Sequence, residues 1–284
     1  MSPWTQPAEA IEVSSAGRSK VSVQAGEKLY VPAGGHRGNA TRALDAFNLD
    51  IAPSEVISIV GPTGCGKSTA LNVLAGFEQP TAGVVRVDGE IVTGPGANRG
   101  VVFQHPSLFP WLSVLDNVVL GVKCRGGNPA DYQPRARQLL DEVGLKGFER
   151  HYPYQLSGGM QQRVQIARAL INEPDILLMD EPFGALDYQT RLLMQKLLLR
   201  LWSRFKPTIL FVTHDVGEAI FISDLVIAMT KRPGRVKREV RVHTPKPRDY
   251  EFLASPEFAE LEHDLVLAVQ REVEPEMEAV GAAH

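Results

Sequence analysis

The chain has 284 residues, 44% hydrophobic and 22% charged, a composition typical of an ordinary folded protein and not of a disordered one. Its 30 Lys and Arg stand against 33 Asp and Glu, so a net charge of −3 gives no general attraction to nucleic acid or an anionic membrane. Only 2 Cys argue against a disulfide scaffold, and the longest hydrophobic run, five residues, is far short of the roughly twenty that a bilayer-spanning helix needs.

The ends of the chain and its cysteines add expectations about organisation and compartment. Residues 1–19 have no basic start followed by an apolar stretch, which predicts a mobile tail and not a secretory signal. Cys65 and Cys124 lack CxxC spacing, which favours a reducing compartment. Residues 251–284 are predicted to form a C-terminal helix and a tail.

Strand and helix patterns alternate along most of the chain. Strand patterns cover residues 20–31, 42–52, 56–60, 84–92, 101–104, 176–180, 208–213 and 225–229. Helical spacing covers residues 69–77, 130–143, 160–171, 188–205, 216–222 and 256–274, and a glycine-rich turn is predicted at 32–39. The alternation favours a parallel sheet covered by helices. It is interrupted at about 105–171, which predicts a helical insertion within a domain spanning 20–250.

A phosphate-binding loop is the strongest motif in the sequence. Residues 61–68 match G-x-x-x-x-G-K-[ST] between a predicted strand and a predicted helix, the context that the motif requires. Its glycines let backbone N–H groups surround phosphate oxygens at a helix N-terminus. Lys67 is expected to reach the β- and γ-phosphates, Ser68 to place its hydroxyl on Mg²⁺, and Cys65 to fill space. The predicted binding residues are Gly61, Pro62, Thr63, Gly64, Cys65, Gly66, Lys67, Ser68 and Thr69.

Two acids end a buried strand pattern further along the chain. Asp180 and Glu181 follow four apolar residues, an arrangement that favours a cation at the strand end. Beside a phosphate loop that cation is Mg²⁺, with Asp180 supporting the metal and Glu181 polarising the attacking water. The alternative is a solvated strand end without a ligand.

A second glycine loop opens another predicted helix. Ser157 suits an N-cap, and Gly158 and Gly159 allow a close backbone approach to a ligand. A second anion-binding helix start without its own lysine favours a loop that clamps a nucleotide held by another subunit. An ordinary capped helix is the alternative.

These motifs, in this order and spacing, resemble those of ABC transporter ATPase subunits over about residues 20–274. The resemblance implies a P-loop fold with a RecA-like parallel-sheet core, an antiparallel β subdomain and a helical subdomain. It implies ATP and Mg²⁺ as ligands and a head-to-tail homodimer in which ATP lies between one subunit's phosphate loop and the other's residues 157–159. By position, Gln104 resembles the residue that touches Mg²⁺ and water, Asp187 the acid that crosses the interface, and His214 the switch histidine.

Two side chains in this comparison have structural alternatives. Tyr30 resembles the aromatic residue that stacks on adenine, although a strand tyrosine is commonly a core residue. His214 could likewise be purely structural, but it follows a predicted strand at the expected position.

Finer features resemble the importer ATPases of the nitrate, sulfonate and taurine group: Met160, Gly184, the Phe109-Pro-Trp111 segment and Pro233-Gly-Arg235. This resemblance implies hydrolysis that energises uptake of a small anionic solute through separate permease subunits. It also implies an indirect partnership with a periplasmic binding protein, a peripheral position on the cytoplasmic face of the membrane, and no nucleic acid partner. Phe109 and Trp111 are expected either to receive a helix of the permease or to be core. The alternative functions are a soluble ABC-type switch and a module that no longer hydrolyses ATP.

Overall fold

The strands of the computed structural model form two sheets. The structure describes residues 19–31, 40–270 and 272, so the predicted tail at 1–19, except for residue 19, lies outside the described part, as do the turn at 32–39 and residues 271 and 273–284. The strands are β1 (Val21–Tyr30), β2 (Thr41–Ile51), β3 (Val56–Val60), β4 (Ala82–Val87), β5 (Glu90–Ile91), β6 (Arg99–Val102), β7 (Ile176–Asp180), β8 (Thr208–Val212), β9 (Leu225–Met229) and β10 (Val236–Arg241).

The larger sheet has the order β10-β9-β3-β8-β7-β6. Its strands pair in parallel except β10, which runs antiparallel to β9 at the edge. The smaller sheet has the order β2-β1-β4-β5 and is antiparallel throughout. The predicted parallel sheet is therefore confirmed.

The helices are α1 (Lys67–Ala75), α2 (Val114–Cys124), α3 (Pro129–Glu142), α4 (Gly158–Leu170), α5 (Tyr188–Phe205), α6 (Val216–Ile222), α7 (Tyr250–Leu253) and α8 (Pro256–Gln270). A short 3-10 helix at Pro153–Gln155 precedes α4. Helices α2, α3 and α4 pack together, and the exposed fraction of Val118, Leu139 and Val164 is at most 2%. In the part of the chain that the structure describes, no helix has the length and apolar character to span a bilayer.

The core lies on both faces of the parallel sheet. On β3, Val56 and Val60 pack into one hydrophobic cluster while Ile57 and Ile59 pack into the other, the period-two alternation of a strand. A strand buried on both faces explains why the sequence there is almost continuously apolar. The antiparallel sheet and α1 cover one face, and the helices at 114–170 contribute to the cluster on the other.

Four elements were not predicted from the sequence: α2, the 3-10 helix, β10 and α7. Helix α2 begins after Ser113, whose hydroxyl accepts from the Asp116 amide as an N-cap. Strand β10 is mostly charged and exposed, which an edge strand tolerates, so its sequence shows little alternation.

The carboxyl ends of the five parallel strands lie at one edge of the sheet. Residue 61 follows β3, Gln104 lies two residues after β6, Glu181 follows β7, His214 lies two residues after β8, and Arg232 lies three residues after β9. Parallel α/β sheets bind ligands at this edge because the loops there converge.

Candidate active site

The phosphate loop is a tight turn around a buried lysine. Gly66 has φ of +113°, and a Cβ there would lie 2.7 Å from the carbonyl oxygen of Ala43, so only glycine fits without rearrangement. Lys67 is 6% exposed. Its Nζ donates to the carbonyl oxygens of Gly61 at 2.8 Å and Pro62 at 3.1 Å, so the lysine lies inside the turn.

A cavity of about 330 Å³ opens on this loop. The N-terminus of α1 lies on its wall, where backbone amides and the helix dipole favour an anion. The wall is formed by Tyr30, Thr41, Ala43, Thr63, Gly64, Gly66, Lys67, Ser68, Thr69, Glu181 and Arg232. Cys65 is 1% exposed and is not part of this wall, in keeping with the expectation that it fills space.

Tyr30 stands at one side of the cavity, 40% exposed, so the alternative of a core tyrosine is wrong. Its hydroxyl donates to the Glu78 carboxylate at 2.7 Å and lies 3.4 Å from the Thr69 hydroxyl. Partial burial, together with the Glu78 charge, raises the pKa of Tyr30. The ring is thus held by its hydroxyl while much of its surface stays accessible.

Asp180 and Ser68 meet at the end of β7. The Ser68 hydroxyl donates to Asp180 Oδ1 at 3.1 Å, joining positions 112 apart in sequence. Burial raises the pKa of Asp180, and the adjacent Glu181 carboxylate raises it further. A partly buried carboxylate beside a hydroxyl is a pair of hard oxygen donors, the ligand type that Mg²⁺ prefers.

Glu181 is the centre of a polar cluster. His214 Nδ1 lies 3.1 Å from Glu181 Oε2, and Gln104 Nε2 donates to the same oxygen at 3.5 Å. Within the described residues, no hydrogen bond reaches Oε1. Glu181 has φ of +42°, a left-handed conformation that is uncommon for a residue with a Cβ and that occurs at functional sites.

Ser157–Gly159 and Asp187 form a second group, at the starts of α4 and α5. The Ser157 hydroxyl accepts from the Met160 amide at 3.4 Å, and Asp187 Oδ1 accepts from the Thr190 amide at 3.0 Å. The Thr190 side chain, followed by this amide, lowers the pKa of Asp187 by hydrogen bonding to its carboxylate. A Cβ on Gly159 would lie 3.1 Å from Thr190 Cγ2, so the two helix starts adjoin.

The structure thus brings most of the predicted residues into one site and leaves a few apart. Tyr30, Glu181 and the tip of the phosphate loop line the cavity, while Gln104, Asp180 and His214 are joined to them by hydrogen bonds. The group at 157–159 and 187 is not on the cavity wall that the described residues form.

Three wall residues were missed by the sequence reasoning: Thr41, Ala43 and Arg232. Arg232 Nη2 and Nε donate to the carbonyl oxygen of Gly64 at 3.1 and 3.2 Å, so its guanidinium borders the phosphate loop. The position of Arg232 follows from strand order, since two parallel strands that are neighbours in such a sheet end side by side. Which strand lies beside β3 cannot, however, be read from one sequence.

Comparison with known proteins places this site in a family. A family model described as ABC transporter matches residues 44–184. The nitrate import ATP-binding protein NrtD of Synechocystis sp. is 44% identical over 254 residues, 87% of this chain and 95% of the relative. The taurine import ATP-binding protein TauB of Jannaschia sp. is 49% identical over 205 residues, 72% of this chain and 76% of the relative.

A solved structure agrees with these relatives. The dimeric ATP-binding cassette MJ0796, in a post-hydrolysis state bound to ADP and Pi, is 34% identical with a TM-score of 0.68, covering 79% of this chain and 100% of that chain. The chain therefore belongs to the ABC transporter family, as an ATP-binding subunit with the ABC ATPase fold and activity.

Proposed function

We propose that the chain is the ATP-hydrolysing subunit of an importer that takes up a small anionic solute of the nitrate, sulfonate or taurine type through a separate permease. The observation that carries hydrolysis is the Glu181 carboxylate held by His214 beside the phosphate loop. The relatives named as nitrate and taurine import proteins, at 44 and 49% identity, support import and the solute class.

The residues present fit a bound Mg²⁺. Ser68 supplies a hydroxyl, Asp180 a carboxylate and Gln104 a side-chain amide oxygen, and the first two already lie 3.1 Å apart. These are hard oxygen donors, and too few to hold the ion without substrate phosphates, which is the usual arrangement in nucleotide sites. When bound, Mg²⁺ supplies neutralisation of the charge on the β- and γ-phosphates.

The side chains of the cavity divide the remaining work. Lys67 exchanges its bonds to two loop carbonyls for phosphate oxygens, and the N-terminus of α1 supplies amides to the same anion. Glu181 orients the attacking water and accepts its proton through Oε1, while His214 fixes the carboxylate through Oε2. Tyr30 offers a ring face to the adenine.

The second group, at 157–159 and 187, acts in trans in this proposal. Its residues lie at helix N-termini, which favour anions, yet away from the wall of their own subunit's cavity. A head-to-tail homodimer brings each group onto the nucleotide of the other subunit. The dimeric state of MJ0796 supports such a pair.

The permease contact in this proposal lies on an exposed aromatic segment after β6. Trp111 is 70% exposed, so the core alternative for Trp111 is wrong. Its ring packs edge-on against that of Phe109, with 5.4 Å between the ring centroids. The segment is held rigidly, because buried Asn117 bonds both the amide and the carbonyl of Phe109. A rigid exposed aromatic pair suits an apolar partner surface. This contact would hold the subunit peripherally at the cytoplasmic face of the membrane.

Two experiments test the proposal. The purified chain is expected to release phosphate from ATP in the presence of Mg²⁺, and Lys67→Ala or EDTA should remove that activity. Trp111→Ala should leave the ATP affinity of the isolated subunit within about twofold while weakening co-purification with co-expressed permease subunits. Loss of ATP binding in that variant would instead indicate a structural role. Association of the wild-type chain with soluble partners alone would favour the soluble switch.

A further inference from the structure

Arg191 joins two segments that the proposed mechanism treats separately. It lies in the first turn of α5, where Nη2 donates to the carbonyl oxygen of Leu186 at 3.1 Å and Nη1 donates to Asp215 Oδ2 at 2.9 Å. Its side chain is 23% exposed. One guanidinium therefore connects the turn that ends at Asp187 to the residue that follows His214.

The segment around His214 is anchored on both sides. Before it, the Thr213 hydroxyl donates to buried Glu218 Oε2 at 2.5 Å, and Gln195 of α5 donates to Oε1 of the same carboxylate at 3.2 Å. After it, Asp215 caps α6 by accepting from the Glu218 amide at 2.9 Å. His214 is therefore carried by a short segment whose neighbours are fixed to α5 and α6.

The turn at 184–187 also touches the histidine directly. A Cβ built on Gly184 would lie 3.7 Å from His214 Cε1 and 3.8 Å from Glu181 Oε2. Gly184 thus packs on the ring at one end of the turn, and Arg191 holds the turn at the other. Two contacts therefore link the turn that ends at Asp187 to the segment that carries His214.

We propose that Arg191 is a positioning residue that fixes the distance between the turn at 184–187 and the segment that carries His214. When Asp187 docks on a partner subunit, this fixed distance places the His214 ring in contact with the Glu181 carboxylate. The inference rests on the proposed dimer and deepens it. The side-chain chemistry suits this role, because a guanidinium is a rigid planar fork whose separate N–H groups hold two acceptors at fixed spacing. A lysine on its flexible stem can pair with Asp215 but does not reproduce the fork.

The test compares Arg191→Ala and Arg191→Lys with Arg200→Ala, an exposed arginine further along α5 that makes no hydrogen bond within the described residues. We expect kcat for ATP hydrolysis to fall about tenfold or more in both Arg191 variants, with KM for ATP within about twofold, because a misplaced catalytic group slows chemistry without altering nucleotide binding. Arg200→Ala should match the wild-type chain. Restoration of the rate by lysine would overturn the inference, since only the charge would then matter.

The split between kcat and KM is the readout that a merely structural role would not move, and a double-mutant cycle with Asp187→Ala tests whether both residues act through the same turn. If Arg191 acts through the turn, the double variant should lose no more activity than the more damaged single variant. Losses that multiply would overturn the inference. Should Arg191→Ala fail to fold, Arg191→Lys carries the same cycle.

Failure of this inference is distinguishable from failure of the proposed function. Wild-type hydrolysis and ATP-dependent dimerisation of the Glu181→Gln variant are measured first. If both are seen and the Arg191 variants turn over at the wild-type rate, only the positioning role falls. If neither is seen, the proposed function itself is wrong.

Discussion

Glu181→Gln is the substitution that separates nucleotide binding from chemistry most cleanly. Glutamine keeps the length and planar end of the side chain, so the left-handed backbone at φ +42° and the packing against Gly184 are unchanged. It removes the negative charge and the proton-accepting oxygen. The variant is therefore expected to bind ATP, to hydrolyse it very slowly, and to accumulate as an ATP-bound dimer.

The size of the effect can be worked from the contacts of the carboxylate. Loss of a positioned general base costs on the order of 10²–10⁴ in rate, or about 3–5 kcal/mol in activation free energy. In the ground state, the contact with His214 at 3.1 Å changes from a charge-assisted to a neutral hydrogen bond, a loss of about 1 kcal/mol. ATP affinity should thus change by no more than about fivefold while kcat falls by at least two decades.

The assay is phosphate release under single-turnover conditions, beside ATP titration and light scattering after size-exclusion chromatography. Glu239→Gln is the matched control, because Glu239 is exposed on the edge strand β10 and is not part of the cavity wall. Hydrolysis by Glu181→Gln within about threefold of the wild-type rate would refute the assignment of Glu181 as base. So would an equal loss in the control variant.

Other consequences of the structure can be measured in the same preparations. Ser157→Arg should abolish hydrolysis while ATP affinity of the isolated subunit stays within about twofold, because in the proposed dimer the serine acts on the other subunit's nucleotide. Unchanged turnover would contradict this. Glu181→Gly should be about 1 kcal/mol more stable than Glu181→Gln, because glycine adopts φ of +42° without strain, and calorimetry should show a melting temperature about 2–4 °C higher. Burial lowers the pKa of Lys246 from 10.5 to about 8, so between those pH values the unfolded chain binds more protons than the folded one. The free energy of urea unfolding should therefore rise across that window in the wild-type chain relative to Lys246→Met, and a pH-independent difference would count against the burial of that charge.

Most of the site was predictable because its signals are local. The phosphate loop is contiguous, and the acids at 180–181 directly follow four apolar residues that predict a strand. Arg232 and Ala43 were missed because their place on the wall depends on which strands and loops become neighbours. The residues of one strand do not show which distant strand it pairs with.

The fold shows the same division between local and tertiary causes. Strand β3 was predicted to the residue because five consecutive positions are buried. Helix α2 was not, because its valines favour strands by propensity and its start is fixed by buried Asn117, which donates to the carbonyl oxygens of Phe109, Leu112 and Ser113. Hydrogen bonds from one buried side chain to the preceding loop thus override the strand propensity of the valines.

The hydrogen bonds of the site join residues that are distant along the chain: 112 positions separate Ser68 from Asp180, 77 separate Gln104 from Glu181, and 33 separate Glu181 from His214. No short segment can therefore assemble this chemistry, and contacts of such separation form late because long loops must close first. A nucleotide that needs all of them binds only the completed sheet. ATP binding then raises the free energy of unfolding by an amount that grows with the ratio of ATP concentration to Kd, so ATP also protects the chain that hydrolyses it against proteolysis.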